Sequence, residues 1–261
     1  MYKSSLILTN KMNLALVCTI HIIGDWGRRG QFHQQNIANI MSNIEHDAVI
    51  SVGDNFYPEG IQNSHDPHIY DSWQHIYNPS KPWFVALGNH DHRGNTTAQT
   101  LIDLPFWNMP APIYAFDKCN QTFVVMDSTH INKQQLRIVE YLLGKTSLNK
   151  WIVAHHPIYT AGWHHHVDEE YRQKMINIYD KYNVKGIISG HDHNLQHIEL
   201  DGIVQIVSGA GSSAYSAQYE QPGLEFFYDN AGFVQMDFKE NNYNLKYIGI
   251  NGTIFEKTQF I

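Results

Sequence analysis

Seven side chains in this sequence have the chemistry to share cations: Asp25, Asp54, Tyr57, Asn89, His155, His191 and His193. Five of them close apolar runs: Ile22-Ile23-Gly24-Asp25, Val49 through Gly53-Asp54, Trp83 through Gly88-Asn89, Trp151 through Ala154-His155, and Gly186 through Gly190-His191. Short apolar runs bounded by Gly or polar residues read as buried strands, and open α/β sheets hold ligands just beyond the carboxyl ends of their strands. One Gly-Asp ending alone would mean a turn or a helix cap. Five endings in Asp, Asp, Asn, His and His predict that distant segments converge on one patch. Carboxylate, phenolate and amide oxygens suit hard ions, and imidazole suits borderline ones. Seven donors exceed the needs of one ion. With one Asp bridging, each of two ions receives four groups and keeps room for water and substrate, as in two-metal phosphoryl chemistry.

The elements that must position these residues alternate. Strands are expected at Thr19 to Gly24, Ala48 to Val52, Trp83 to Leu87, Thr122 to Met126, Trp151 to Ala154 and Lys185 to Ser189. Between them lie helical stripes: Ile37, Ile40, Met41 and Ile44; Ile69, Trp73 and Ile76 behind an Asp66-Pro67 start; Leu136, Val139 and Leu143, ended by Gly144; and Tyr171, Met175, Ile178 and Tyr182. Such alternation predicts a layered α/β core. After His193 strands dominate, at Ile203 to Val207, Glu225 to Tyr228, Gly232 to Phe238, Tyr243 to Ile250 and Thr253 to Gln259, with a hairpin turn at Asn251-Gly252. This β-rich tail reads as a second sheet packed on the first. No linker divides them.

Composition sets outer bounds. With 261 residues, 43% hydrophobic and 16% charged, the chain can bury a sizeable core. A formal charge of −7 argues against nucleic-acid binding, and no run is long enough to span a membrane. Protonating its 17 histidines would carry the charge to +10, so the sign changes in mild acid. Cys18 and Cys119 are too few for a disulfide framework and leave a single bridge open. Lys11 ahead of Leu14-Ala15-Leu16-Val17-Cys18 resembles a truncated export signal, though not a convincing one. Residues 1–18 are therefore set apart, and 19–261 are expected to form a single domain.

The motifs themselves carry a resemblance. GDWG at 24–27, GDNFY at 53–57, GNHDH at 88–92, AHHP at 154–157 and GHDHNLQ at 190–196 resemble, in order, the five motifs of the purple acid phosphatases of the metallophosphoesterase superfamily. The small tartrate-resistant type is the most similar, with further agreement at Gly94-Asn95, Ala98-Gln99 and Ser208-Gly209-Ala210-Gly211. The resemblance implies a layered β-sandwich of two mixed sheets flanked by helices. It also implies Fe(III) held by Asp25, Tyr57 and His193, a divalent ion, Fe(II), Zn(II) or Mn(II), held by Asn89, His155 and His191, and Asp54 bridging both. Metallophosphoesterases usually carry Asp-x-His in the first motif. Here the third position is Gly27, and Tyr57 can supply the missing ligand. A phenolate favours Fe(III), so Tyr57 separates this chain from phosphodiesterase relatives.

Two carboxylates and a phenolate, about −3, against about +5 from the ions leave a positive site that suits a phosphate monoester dianion. Because metal coordination acidifies water, the expected reaction is acid hydrolysis of phosphate monoesters by a metal-bound hydroxide. His90, beside Asn89, is expected to face the phosphate and donate a proton. In the related enzymes a second His lies nine residues past the fourth-motif ligand, which gives His164, with His165 and His166 as neighbouring registers. Expected substrates are small phosphate esters, with phosphoproteins and nucleotides among the candidates, and a monomer is expected. The resemblance implies a secreted or periplasmic location. Mammalian relatives carry a longer repressive loop where this chain is short, between Asp127 and Leu136, so activity without proteolysis is expected. Two alternatives stay open: a manganese or zinc phosphodiesterase, and a non-catalytic metal-dependent binding protein. His92 and His156 could orient ligands, Arg28 and Arg29 could steer phosphate or merely be solvated, and the loop from Leu104 to Tyr114 could line a pocket or pack.

Overall fold

The computed structural model describes residues 17–164 and 168–260. Strand β1 (Cys18–Ile23) lies between parallel β2 (Ala48–Ser51) and antiparallel β12 (Gly232–Phe238). The first sheet continues through β3 (Trp83–Val85) and β4 (Trp107–Asn108) on one side. On the other it continues through β13 (Asn242–Gly249) and β14 (Gly252–Phe260). The second sheet is built on parallel β6 (Gln121–Met126), β7 (Asn149–Ala154), β8 (Val184–Ser189) and β10 (Ile203–Ser208). Antiparallel β5 (Tyr114–Lys118), β9 (Leu195–Leu200) and β11 (Leu224–Tyr228) complete it. Among the described residues two mixed sheets of seven strands thus make the expected sandwich.

Alternation along the parallel strands explains the layers. Phe123, Val125, Trp151, Val153 and Ile188 face the first sheet in one core, with Ile20, Ile22, Ile50 and Phe238. Val124, Met126, Ile152, Ala154 and Ile187 point the other way, onto Val139 and Leu143 of the helix Lys133–Gly144 and Met175 and Ile178 of the helix Glu169–Tyr182. Burial on both faces is why these strands read as continuous apolar runs rather than alternating ones.

Three expectations need correction. The β-rich tail is not a sheet of its own: β12, β13 and β14 extend the first sheet, while β9, β10 and β11 extend the second. β5 and β9 went unread as strands, because the Gln196, His197 and Glu199 side chains in β9 disguise its apolar positions. Gly144 is the last helical residue rather than a left-handed cap, whereas Asn183 and Asn78 do end their helices in that conformation. The Asn251-Gly252 turn, the Asp66 cap on His68 and the stop at Asn78 stand as read. The two cysteines are joined, with Cα atoms 5.4 Å apart across 101 residues, tying the start of β1 to the β5–β6 turn and so one sheet to the other. Among the described residues no helix is long and apolar enough to cross a membrane.

Candidate metal centre

Adjacent strands β1, β2 and β3 of one sheet and adjacent β7 and β8 of the other end at the same rim. The loops leaving them are tightly held. Asp25, Asp54 and His191 have φ of 60°, 53° and 69°, a left-handed conformation that costs non-glycine residues about 1 kcal/mol or more and gathers at functional sites. The strain is fixed by bonds between the loops: the Asp25 amide donates to the Gly53 carbonyl at 3.0 Å, the His191 amide to Asp25 Oδ2 at 3.0 Å and the His90 amide to Asp54 Oδ1 at 2.7 Å. Gly27 has no room for a side chain, since a Cβ there would lie 1.8 Å from the Asn55 carbonyl oxygen. No histidine fits at that position without moving backbone.

The structure brings all seven predicted donors together. The Tyr57 hydroxyl lies 2.7 Å from Asp54 Oδ2, 3.0 Å from Asp25 Oδ1 and 3.0 Å from His193 Nε2. His155 Nε2 lies 3.1 Å from Asn89 Oδ1, 3.2 Å from His191 Nδ1 and 3.5 Å from Asp54 Oδ1. The two oxygens of Asp54 therefore address two separate groups, one around Tyr57 and one around His155. A phenol has one proton and cannot satisfy two carboxylates. On the other side, His155 Nδ1 faces the Val52 carbonyl at 2.9 Å and must donate to it, so in the neutral imidazole, the form that binds metal, the lone pair of Nε2 faces two oxygen acceptors. Each group is a set of acceptors lacking a positive centre, which is the donor chemistry that fits a pair of cations.

Electrostatics agree. Burial, then the Asp25 and Asp54 charges, push the Tyr57 phenol well above its ordinary range, so a strong cation is needed to ionise it. Burial would raise Asp54 as well, but His155, His90 and the Tyr57 hydrogen bond hold it below the usual carboxylate value. Burial would lower His155, and the Asp54 and Asp25 charges overcome it and raise it. His191 is held well below its ordinary value by burial and then by neighbouring imidazoles.

Around the donors stands a supporting layer that sequence reading largely missed. Buried Asp91 accepts from the Gly88 and Asn55 amides and from Gln99, at 2.8, 3.0 and 2.9 Å. Asp127 pairs with His92 at 2.8 Å, and Ser128 contacts His156 Nδ1 at 2.8 Å, so the end of β6 supports both histidines. Asp127 follows an apolar run as the other closing residues do, and that signal was available. Asp91 and Asp192 sit inside the quoted motifs. Arg28 is not merely solvated: its guanidinium lies 3.6 Å over the Tyr57 ring, while Arg29 is exposed.

His90 Nδ1 donates to the Pro58 carbonyl at 2.6 Å, leaving Nε2 4.0 Å from Asp54 Oδ2. His164 Nδ1 meets Asp192 Oδ1 at 3.1 Å, and its ring lies 4.0 Å from that of His191. His165 and His166 fall outside the described residues. Beside the donors opens a cleft of about 700 Å³ lined by Ser128, His156, Trp163, His164, Tyr171 and His191 among others. The stretch from Leu104 to Tyr114 lines none of it; Trp107 packs on Phe56 and Trp73 instead.

A two-sheet sandwich with paired donor groups at the rim defines the calcineurin-like phosphoesterases, and that family's model matches residues 18–195. Within this class the chain belongs to the purple acid phosphatases, of the small tartrate-resistant type. It is 33% identical to purple acid phosphatase 3 of Arabidopsis thaliana over 89% of this chain and 75% of that protein. It is 26% identical to tartrate-resistant acid phosphatase type 5 of Homo sapiens over 91% of this chain and 89% of that one. Among solved structures, GAP50, described as the anchor in the inner membrane complex of Plasmodium, has a TM-score of 0.82 at 22% identity, covering 94% of this chain and 89% of that chain. Membership makes the chain a phosphoric monoester hydrolase of the acid phosphatase class, acting through a dinuclear metal centre.

Proposed function

We propose that the chain hydrolyses small phosphate monoesters in acid with a pair of ions, one ferric and one divalent. Asp25, Tyr57, His193 and the bridging Asp54 would hold Fe(III), and Asn89, His155, His191 and the same Asp54 would hold Fe(II), Zn(II) or Mn(II). The observation that carries this reading is the meeting of the Tyr57 oxygen with Asp25, Asp54 and His193. When bound, such a pair acidifies water and neutralises charge on the phosphoryl group.

The protein's own groups do the rest. His90 and His164 each have Nδ1 engaged, by Pro58 and Asp192 respectively, which leaves Nε2 to hold a proton for the departing ester oxygen. The cleft beside His164 and His191 admits the leaving group. Only residues 127–132 separate β6 from the next helix, which supports activity without proteolytic removal of a loop.

The test combines metal analysis, absorption and substrate choice. The iron-loaded protein should show a visible tyrosinate-to-iron band that Tyr57→Phe abolishes, and should prefer monoesters with an acid optimum. A colourless protein carrying zinc or manganese and preferring diesters would overturn the reading.

A further inference from the structure

We propose that Arg28 tunes the metal centre through Tyr57, by holding a fixed positive charge against the face of the phenol ring. This rests on the ferric reading above. The Arg28 guanidinium carbon lies 3.6 Å from the centre of the Tyr57 ring, close enough for a direct cation–π contact.

The stack is built into the backbone. Its Nε donates to Ser212 Oγ at 3.0 Å, and the same hydroxyl donates to the Asp25 carbonyl at 2.6 Å. Arg28 and Gly30 amides both donate to Gln34 Oε1, at 2.9 and 2.8 Å. The Tyr57 amide donates to the Gly27 carbonyl at 2.9 Å, and the absence of a side chain at Gly27 lets the two loops close. Arg28 thus sits on the loop that carries Asp25, next to the point where that loop is tied to the Tyr57 loop, and its guanidinium is held by Ser212, so it cannot swing away freely.

A positive charge over an anionic ring draws electron density from its oxygen. Two consequences follow for a phenolate on ferric iron. The transition that colours such a centre moves an electron from ring to metal, so a cation at the ring raises its energy. The same cation weakens donation to the ferric state and makes the iron easier to reduce.

Wild-type protein, Arg28→Gln, Arg28→Lys and the neighbouring control Arg29→Gln are loaded with iron, checked for equal metal content and compared by absorption and redox titration. Arg28→Gln should move the band to longer wavelength by on the order of 10 nm or more and lower the midpoint potential. Arg28→Lys should restore most of both, and Arg29→Gln should change neither. Should Arg28→Gln fail to hold its ions, Ser212→Ala loosens the guanidinium without removing its charge and should give a smaller shift in the same direction. A coloured wild type with an unmoved Arg28→Gln band, or an unmoved Ser212→Ala band where that arm is needed, overturns the inference alone. A colourless wild type overturns the ferric reading and this inference with it.

Discussion

Single atoms decide what can happen at this rim. Asp192 sits behind His164, with Oδ1 accepting from both its Nδ1 and its amide, at 3.1 and 2.9 Å, and with Oδ2 held by Thr160. The carboxylate fixes which ring nitrogen faces the cleft. With His164 as the proposed general acid, removing its imidazole in His164→Ala should lower kcat roughly 10²- to 10⁴-fold. Asp192→Asn should lower kcat less and in the same direction, with KM nearly unchanged, because only the aim of the acid is lost. Steady-state kinetics on an aryl phosphate separate the two; an Asp192→Asn effect confined to KM would place the residue in substrate binding. Gly27 makes the opposite point. Its hydrogen faces the Asn55 carbonyl, and Gly27→Ala should destabilise by about 1–3 kcal/mol or more through overpacking, visible as a lower Tm.

At the level of elements, the site exists because two sets of parallel strands finish at one rim, and that much was legible. Buried parallel strands advertise themselves as apolar runs, and the donors stand in the few residues after each. Pairing was not legible. β12 gives no local sign that it lies beside β1, nor does β9 that it joins the other sheet, because antiparallel partners are chosen by tertiary packing. The same blindness hid the link between Cys18 and Cys119, which two residues 101 apart cannot announce. That bridge joins the start of β1 to the turn before β6, the strand ends opposite the donors. Replacing both cysteines with serine should therefore cost about 2–4 kcal/mol of unfolding free energy while leaving metal content and KM as they were. A large loss of metal would mean that the bridge shapes the rim and does not merely staple the sheets.

For the molecule as a whole, the central tension is between the acid hydrolysis proposed above and staying folded in acid. His21 is completely buried in β1 with neither ring nitrogen hydrogen-bonded among the described residues, and burial, followed by the charge on His46, keeps it well below its ordinary value. His68 is lowered to about 4, by burial first and then by Arg29. In the unfolded chain both take up protons near pH 6.5, while in the folded chain they do so only further into acid. Between those values the unfolded state binds more protons, so stability falls as pH drops through the window. His92 acts the other way. The Asp127 hydrogen bond raises it, so its contribution is complete below about pH 6.5 and fades as pH rises through its folded value. Asp127 itself is lowered by His92 against burial and fails only below the usual carboxylate range. Metal-free protein should accordingly lose unfolding free energy from pH 7 to pH 5. His21→Leu should flatten that slope by up to about 1.4 kcal/mol per pH unit, one proton's worth, read from urea unfolding at several pH values. Ions bound only to the folded state should lift the whole curve. An unaltered slope in His21→Leu would mean that the imidazole is protonated inside the sheet, and the acid sensitivity would have to come from elsewhere.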